Sequence, residues 1–394
     1  MDRRSLLEAG LGCAVGVASA GCLEAFSSES AWRDLVVDRP DAVYVPAKID
    51  EMTTYGTATV GPYGIAVTAT RPHSFFTVTG SETTQVSHRS DDSIHLMVSL
   101  WDRATGEFVP SSVRTTVGRD EDVVDDRQLW PMLSQRMGVH YGDNVALPAD
   151  GPYELSVRID PPAVRTTGEF DGRFADAERA TLSIDYAASE IDALERTLLD
   201  VDQRGGRGAL ESMGDGEGGG SEGGNGEHGH DSAREHGRHP TATTSPPLDA
   251  LPGTLLGTPT VDDAVLATTV LEGAPGRGQG QEHDRERRTG DDANAYLAVS
   301  LRTPYNRCPL PMASLSLSPS STRERTDTPD SELQLRETLD PDLGHHYGAT
   351  LESVGDGEDT FSFSLSIDTP PQLSRHEGNE TAFLETGSVT GTMP

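Results

Sequence analysis

The stretch His140-Tyr141-Gly142-Asp143-Asn144-Val145 sets the architecture of this chain, because part of it returns near the C-terminus as His346-Tyr347-Gly348. A second pair of similar blocks lies upstream in the same order, Ile94 to Leu100 in the first half and Ala295 to Leu301 in the second. A double proline also follows each histidine block. Three matching blocks in one order predict a tandem duplication.

The segments between the repeated blocks predict an all-β protein. Short runs rich in Val, Ile, Thr, Tyr and Phe alternate with Gly, Pro and Asp turns, and this spacing is typical of β-sandwiches. The stretch from Ala187 to Val201 is an exception, because its Leu and Ile residues recur at helical spacing and predict one helix. The chain is therefore expected to form two tandem β-sandwiches.

Composition divides the chain into five segments. Residues 202–247 are dominated by Gly, Glu, Ser and His, which cannot bury a core, and so predict a disordered acidic linker. Its histidines, His228, His230, His236 and His239, either trap metal loosely or are simply solvated. The predicted segments are an export signal with a lipobox (1–22), a tether (23–38), the first sandwich (39–201), the linker (202–247) and a second, degenerate sandwich (248–394).

The N-terminus has the features of an export signal. Arg3 and Arg4 precede an apolar run of small residues, a pattern that resembles a twin-arginine signal. The run ends in Ser19-Ala20-Gly21-Cys22, which resembles a lipobox and predicts lipid attachment at Cys22. The alternative is an uncleaved anchor, although the run is short for a spanning helix. Both interpretations place the protein on the outer face of the cytoplasmic membrane.

The chain is strongly acidic, with 64 acidic residues against 31 basic ones and a formal net charge of −33. Nucleic acid is excluded as a partner, because phosphate binding requires clustered basic residues. An acid-rich chain with Lys48 as its single lysine suits concentrated salt, in which self-repulsion is screened. A disordered acidic protein is the alternative, but only the linker has that composition. Cys308 has no partner once Cys13 and Cys22 are assigned to the leader, so no disulfide framework is expected.

The histidine block and its surroundings resemble the periplasmic Fe2+ transport protein family, whose members are small exported iron- and copper-binding proteins. The similarity includes the His-Tyr-Gly block at 140–142, the later Gly-x-Tyr and Pro-Pro motifs, the strand at 93–97 and the Pro131-Met132 segment. It covers roughly residues 43–186 and, more weakly, the second copy. The resemblance implies immunoglobulin-like sandwiches, dimerisation (as a homodimer or an intramolecular pseudo-dimer) and a membrane iron permease as partner.

A group of histidine and methionine residues forms the candidate metal site. His95 and Met97 are two residues apart on a predicted strand, so their side chains leave the same face. His140, expected at a turn, could meet them there with Met132 or Met137. Imidazole and thioether form a soft ligand set that favours copper, above all Cu(I). The alternative is that these side chains only line the core.

The sequence departs from the family pattern in ways that bear on the site. Met97 stands where the family has a glutamate, which removes a hard oxygen ligand for Fe2+. The Arg-His pair after the double proline becomes Arg165-Thr166 in the first copy but survives as Arg375-His376 in the second. Either the two copies share a composite site, or the first holds a modified site and the second is a structural partner. The candidate metal ligands are His95, Met97, Met132, His140, His346 and His376.

These features predict a non-enzymatic lipoprotein that captures an iron or copper ion outside the membrane and passes it to a permease. The alternative is a cell-surface β-sandwich scaffold that has lost metal binding. His73 is expected to be a strand-end residue rather than a ligand. Asp92, Asp102 and Asp143 either hydrogen-bond the ligands or are solvated.

Overall fold

The structure is a computed structural model, which describes residues 39–213, 244–273, 275, 295–319, 332–351 and 361–393. Several predicted features lie outside the described residues. These are the export signal with Arg3, Arg4 and Cys22, the tether, the four linker histidines and most of the linker itself. The described part is almost entirely β-structure, so the predicted all-β fold class is confirmed.

The first half contains fourteen strands and one short helix. The strands are β1 (Lys48–Asp50), β2 (Thr53–Val60), β3 (Tyr63–Thr70), β4 (Phe75–Thr79), β5 (Glu82–Val86), β6 (Ile94–Asp102), β7 (Val113–Arg119), β8 (Asp122–Gln128), β9 (Trp130–Ser134), β10 (Gly138–Val145), β11 (Gly151–Ile159), β12 (Arg165–Thr166), β13 (Glu178–Tyr186) and β14 (Arg196–Leu198). The α-helix is α1 (Ala188–Ala193), and Gly168–Phe170 forms a 3₁₀ turn.

The described residues of the second half form ten strands. They are β15 (Thr254–Gly257), β16 (Thr260–Val261), β17 (Ala264–Glu272), β18 (Ala295–Arg302), β19 (Ser314–Pro319), β20 (Leu333–Asp340), β21 (Gly344–Leu351), β22 (Phe361–Thr369), β23 (Ser374–Arg375) and β24 (Gly387–Met393). A 3₁₀ turn at Leu248–Ala250 precedes them.

Two sheets enclose the core of the first half. One has the strand order β2-β3-β6-β10-β9-β23-β4-β5, and the other has the order β13-β11-β7-β8. Strand β11 shows how the sequence produces this layer: Tyr153, Leu155, Val157 and Ile159 are buried and the residues between them face outward. Alternation with a period of two is what a sheet with one buried face requires. By contrast, β3 is buried along its whole length, and it lies between β2 and β6.

The second half repeats the topology of the first. The neighbours β17-β18-β21-β20 correspond to β3-β6-β10-β9, and β24-β22-β19 corresponds to β13-β11-β7. The register also agrees, since Gly348 pairs with Ala298 as Gly142 pairs with Met97. The tyrosine of each histidine block makes an equivalent hydrogen bond. Tyr141 Oη accepts one from Ser111 N at 2.7 Å. Tyr347 Oη accepts one from Ala313 N at 2.9 Å.

The two halves exchange short strands. Strand β23, from the second half, lies in the first sheet between β9 and β4, where Ser374 pairs with Met132 and Arg375 pairs with Phe76. In return β12, from the first half, pairs in parallel with β20 through Arg165 and Thr338. Each exchanged strand follows one of the double prolines. Because proline cannot donate a ladder hydrogen bond, the chain leaves its own sheet at these points.

Two predictions of local structure are wrong in part. The helix expected from Ala187 to Val201 ends at Ala193, because Arg196–Leu198 instead forms β14 against β1 and Arg196 makes an ion pair with Asp50 at 2.7 Å. The predicted linker begins too early. Residues 202–213 are tied to the first half, for example through Leu210 N, which donates to Gln135 Oε1 at 2.8 Å. No helix within the described ranges is long and apolar enough to cross a bilayer.

Candidate metal site

His140 is buried in the middle of β10 rather than at a turn, which corrects the prediction for this residue. Its Nδ1 donates to the carbonyl oxygen of Gly138 at 3.1 Å. The carbonyl can only accept, so the proton is on Nδ1 and Nε2 carries the free lone pair. Nε2 is buried and has no hydrogen-bond partner among the described residues. This is the arrangement in which histidine usually ligates a metal.

His95 is held in the same way by an asparagine. Its Nδ1 lies 3.0 Å from Asn144 Oδ1, which accepts the proton, and its Nε2 is buried without a partner in the described structure. The Asn144 amide also donates to His73 O at 2.9 Å and accepts from His73 N at 3.3 Å. Asn144 lies directly opposite His95 in the β10–β6 ladder. One amide therefore fixes both the His95 ring and the loop that carries His73.

His376 reaches the site through the strand exchange. It follows β23, and its ring centroid lies 5.2 Å from that of His73, 5.3 Å from that of His140 and 6.1 Å from that of His95. The rings of His73 and His95 are 4.1 Å apart. Both ring nitrogens of His376 are buried without a hydrogen-bond partner in the described ranges. We call these four residues the histidine cluster.

Met132 adds a thioether to the histidine cluster. It pairs with His140 across β9 and β10 and with Ser374 across β9 and β23. A Cβ atom placed on Gly142 would lie 2.9 Å from His95 Nε2 and 3.1 Å from Met132 Sδ. The imidazole nitrogen and the sulfur therefore converge above Gly142, and only a glycine leaves the space that they occupy.

Burial favours the neutral form of His95, His140 and His376. It lowers the pKa of His140 to about 4, and the nearby His73 contributes to that shift. Burial, followed by the neighbouring histidines, also holds the pKa of His95 and of His376 well below the usual range. Neutral imidazoles have the lone pairs that metal ligation requires. Buried ring nitrogens without partners are costly, at about 1–3 kcal/mol each, so their convergence marks the cluster as a candidate ligand site.

The structure brings together four of the six predicted ligands, His95, Met132, His140 and His376. Met97 projects from the same face of β6 as His95 and lines a cavity beside the cluster. His346 does not join them. It lies in the second sheet, at the position equivalent to His140.

The equivalent site in the second half is closed. His346 Nδ1 donates to Gly344 O at 3.0 Å, as His140 Nδ1 does to Gly138 O. Its Nε2, however, lies 3.1 Å from Tyr296 Oη, which occupies the place of His95 and donates to it. Thr338 stands in the place of Met132. The second half has therefore kept the fold of the site while a tyrosine satisfies its histidine.

His73 lies closer to the candidate site than the sequence predicted. Its loop position before β4 agrees with the expectation, but its ring lies in the cluster. The one signal in the sequence was its placement beside Phe75 and Phe76, which did not indicate how Asn144 would hold the loop. The acidic candidates have other partners: Asp143 is paired with Arg127 at 3.3 Å, Asp102 with Arg173 at 2.6 Å, and Asp92 accepts from Arg89 N at 2.6 Å.

The cluster is not a closed coordination shell. In the described part of the chain, no group of three or more His, Cys, Asp or Glu side chains has the arrangement of a bound metal ion. The rings of the cluster are neighbours within 4.1 to 6.1 Å, and Met132 is the additional donor.

Comparison with known proteins agrees with the resemblance expected from the sequence. Residues 83–183 match the family described as Fe2+ transport protein, so the resemblance is confirmed for the segment that holds His95, Met132 and His140. Residues 249–392 match a domain of unknown function, DUF7350. The two halves, alike in topology, thus match different families.

Two solved structures are similar to part of the chain. A copper-bound glutamate-to-glutamine variant of FetP from uropathogenic Escherichia coli strain F11 is 15% identical, with a TM-score of 0.28, over 35% of this chain and 98% of that one. The as-isolated form of the same FetP is 16% identical, with a TM-score of 0.27, over 36% of this chain and 96% of that one. No curated protein matches the chain.

Proposed function

We propose that this protein binds a transition-metal ion, copper or iron, in the histidine cluster. The observation that carries the proposal is the convergence of the buried imidazoles of His95, His140 and His376, each with at least one ring nitrogen that has no hydrogen-bond partner in the described structure. Met132 adds a soft sulfur to this set. Imidazole with thioether favours copper, whereas Fe2+ would find no carboxylate in the cluster.

The proposed site is composite. His95, Met132 and His140 belong to the first half, and His376 is brought in from the second by β23. The second half thus contributes a ligand to its partner while its own equivalent site is closed by Tyr296. This arrangement supports the shared-site hypothesis over a site held by the first half alone.

The proposed role is capture of the ion outside the cell membrane and transfer to a membrane permease. The match of residues 83–183 to the Fe2+ transport protein family supports an iron-uptake context and a permease partner. The twin-arginine-like pair Arg3-Arg4 and the lipobox cysteine Cys22 support export and lipid anchoring at the outer face of the cytoplasmic membrane. Capture and transfer need no chemical conversion of the ion, so the protein acts as a carrier and not as an enzyme.

One observation favours the alternative of a scaffold without metal, but only for the second half. The Tyr296–His346 hydrogen bond satisfies the histidine that would otherwise be a ligand. We therefore assign the second half the role of structural partner and donor of His376.

The proposal is tested by metal titration of the purified protein with Cu(I), Cu(II) and Fe(II), at high salt. The test variant is His95→Ala/His140→Ala, and the matched control is His346→Ala, which removes an equally buried histidine from the closed site. We expect stoichiometric binding in the parent and in the control and its loss in the double variant. Absence of binding in the parent would overturn the proposed function.

A separate variant tests the composite nature of the site. We expect His376→Ala to weaken binding or reduce its stoichiometry, because it removes the ligand supplied by the second half. Unchanged stoichiometry and affinity in His376→Ala would assign the site to the first half alone.

A further inference from the structure

A cavity of about 120 Å³ lies beside the histidine cluster. It meets the cluster at His73 and His376, with Met97 beside them in the lining. The lining includes the buried Met97 and His376 next to the cluster and half-buried residues, such as Met52 and Lys48, farther out. The cavity therefore joins the cluster to the surface of the molecule.

Three methionines line this cavity, Met52, Met97 and Met137. Met52 is half-buried, whereas Met137 and Met97 are 7% and 2% exposed. They come from three separate parts of the first half: the segment between β1 and β2, strand β6, and the turn between β9 and β10. Thioethers thus stand at the outer, partly exposed wall and at the inner end next to the cluster.

The carboxylates of the same wall already have partners. Carboxylate oxygen is also a harder donor than thioether sulfur, so the sulfurs are the donors of this wall that suit Cu(I) best. The engaged groups are Asp50 with Lys48 at 2.6 Å and with Arg196 at 2.7 Å, Glu380 with Tyr44 Oη at 2.6 Å, and Glu377 with the Ser134 hydroxyl.

We propose that this cavity, the thioether channel, is the route by which Cu(I) reaches the histidine cluster, with Met52 and Met137 passing the ion to Met97. The inference rests on the proposed function and narrows its substrate to the soft monovalent ion. Thioether sulfur binds Cu(I) in preference to Fe2+, which favours oxygen and nitrogen. An unbranched, uncharged side chain can also follow a moving ion by rotating its bonds.

The test measures how fast the protein takes Cu(I) from a coloured chelator complex such as Cu(I)–bicinchoninate, by stopped-flow absorbance. The test variant is Met52→Leu/Met137→Leu, which keeps side-chain volume but removes both sulfurs. The matched control is Met393→Leu, a buried methionine in the second half that does not line the channel. Fe(II) uptake by the same proteins reports whether the channel has merely changed shape.

We expect Cu(I) uptake to slow by about tenfold or more in the test variant, with stoichiometry, thermal unfolding and Fe(II) uptake unchanged. An unchanged Cu(I) rate, or equal slowing of Cu(I) and Fe(II), would overturn the channel proposal. Met52→Leu alone, at a half-buried position that tolerates substitution, gives the same test if the double variant folds poorly. Failure of the proposed function is a different result, namely no uptake of either metal by the parent.

Discussion

At the scale of single residues, the candidate site depends on the hydrogen bonds that orient the His140 and His95 imidazoles. Gly138 O and Asn144 Oδ1 accept the Nδ1 protons of His140 and His95, which leaves each Nε2 directed at the cluster. Gly142 is needed for a different reason, since it has a conformation open to any residue but no room for a side chain. The block His140–Asn144 thus combines a ligand, a space and a positioning amide within five residues.

The role of Gly142 leads to a prediction. We expect Gly142→Ala to weaken metal binding by about tenfold or more, because the new methyl group would displace His95 Nε2 and Met132 Sδ. Titration with Cu(I) and Fe(II) measures the effect. Gly118→Ala in β7 is the control, since its Cβ would meet no atom closer than 3.5 Å. Equal metal affinities for the two variants would contradict the convergence of His95 Nε2 and Met132 Sδ above Gly142.

At the scale of elements, the exchanged strand β23 connects the β4–β5 hairpin to the rest of the first sheet. It is two residues long, so its own ladder hydrogen bonds contribute little. Its position is fixed by buried side chains. Leu373, next to the strand, is fully buried in the core. The Arg375 guanidinium, in the strand itself, is also buried and donates to Pro371 O and Phe383 O. Packing rather than pairing places His376.

Leu373 therefore provides a test of the element. We expect Leu373→Ala to lower the free energy of unfolding by about 2–5 kcal/mol, as for other buried leucines, and also to weaken metal binding by loosening His376. Chemical denaturation and metal titration of the same preparation measure both effects. The control is Leu333→Ala, at a position 37% exposed, for which we expect a change within about 0.5 kcal/mol. Loss of stability with unchanged metal affinity would show that β23 does not position the ligand.

Many features of the strands could be predicted from the sequence, because they depend on the local pattern of residues. The β-class, the repeated blocks and the shared face of His95 and Met97 come from periodicity, which acts over a few residues. The strand exchange could not be predicted in this way, since nothing local to Ser374 or Arg375 indicates a partner strand more than two hundred residues earlier. The helix from Ala187 failed for the same reason, because pairing of β14 with β1 overrode its helical spacing.

At the scale of the whole molecule, the charge of −33 opposes compactness. One lysine and thirty arginines do not offset 64 carboxylates, and many of the ion pairs are at least partly exposed and so contribute little. The continuous core, which includes residues of both halves, must outweigh this repulsion. Dissolved salt reduces it directly.

We therefore expect salt to stabilise the protein. Between about 0.1 M and about 1 M KCl the Debye length falls from about 10 Å to about 3 Å, and the midpoint of thermal unfolding should rise by at least about 5 °C. Differential scanning calorimetry at several salt concentrations measures the shift, and sucrose at matched osmolality controls for solvent exclusion. A flat or falling midpoint would rule out charge repulsion as the main destabilising force.

The strand exchange also affects the order of events during synthesis. His376 follows His140 by 236 positions in the chain. At the usual 5–20 residues per second, roughly 10 to 50 seconds separate their appearance from the ribosome. Throughout that interval a nascent first half lacks one of its four cluster imidazoles, and the hairpin β4–β5 lacks the strand that seats it. The cluster is thus completed only when nearly all of the described chain has been made, and until then the first half offers an incomplete set of donors.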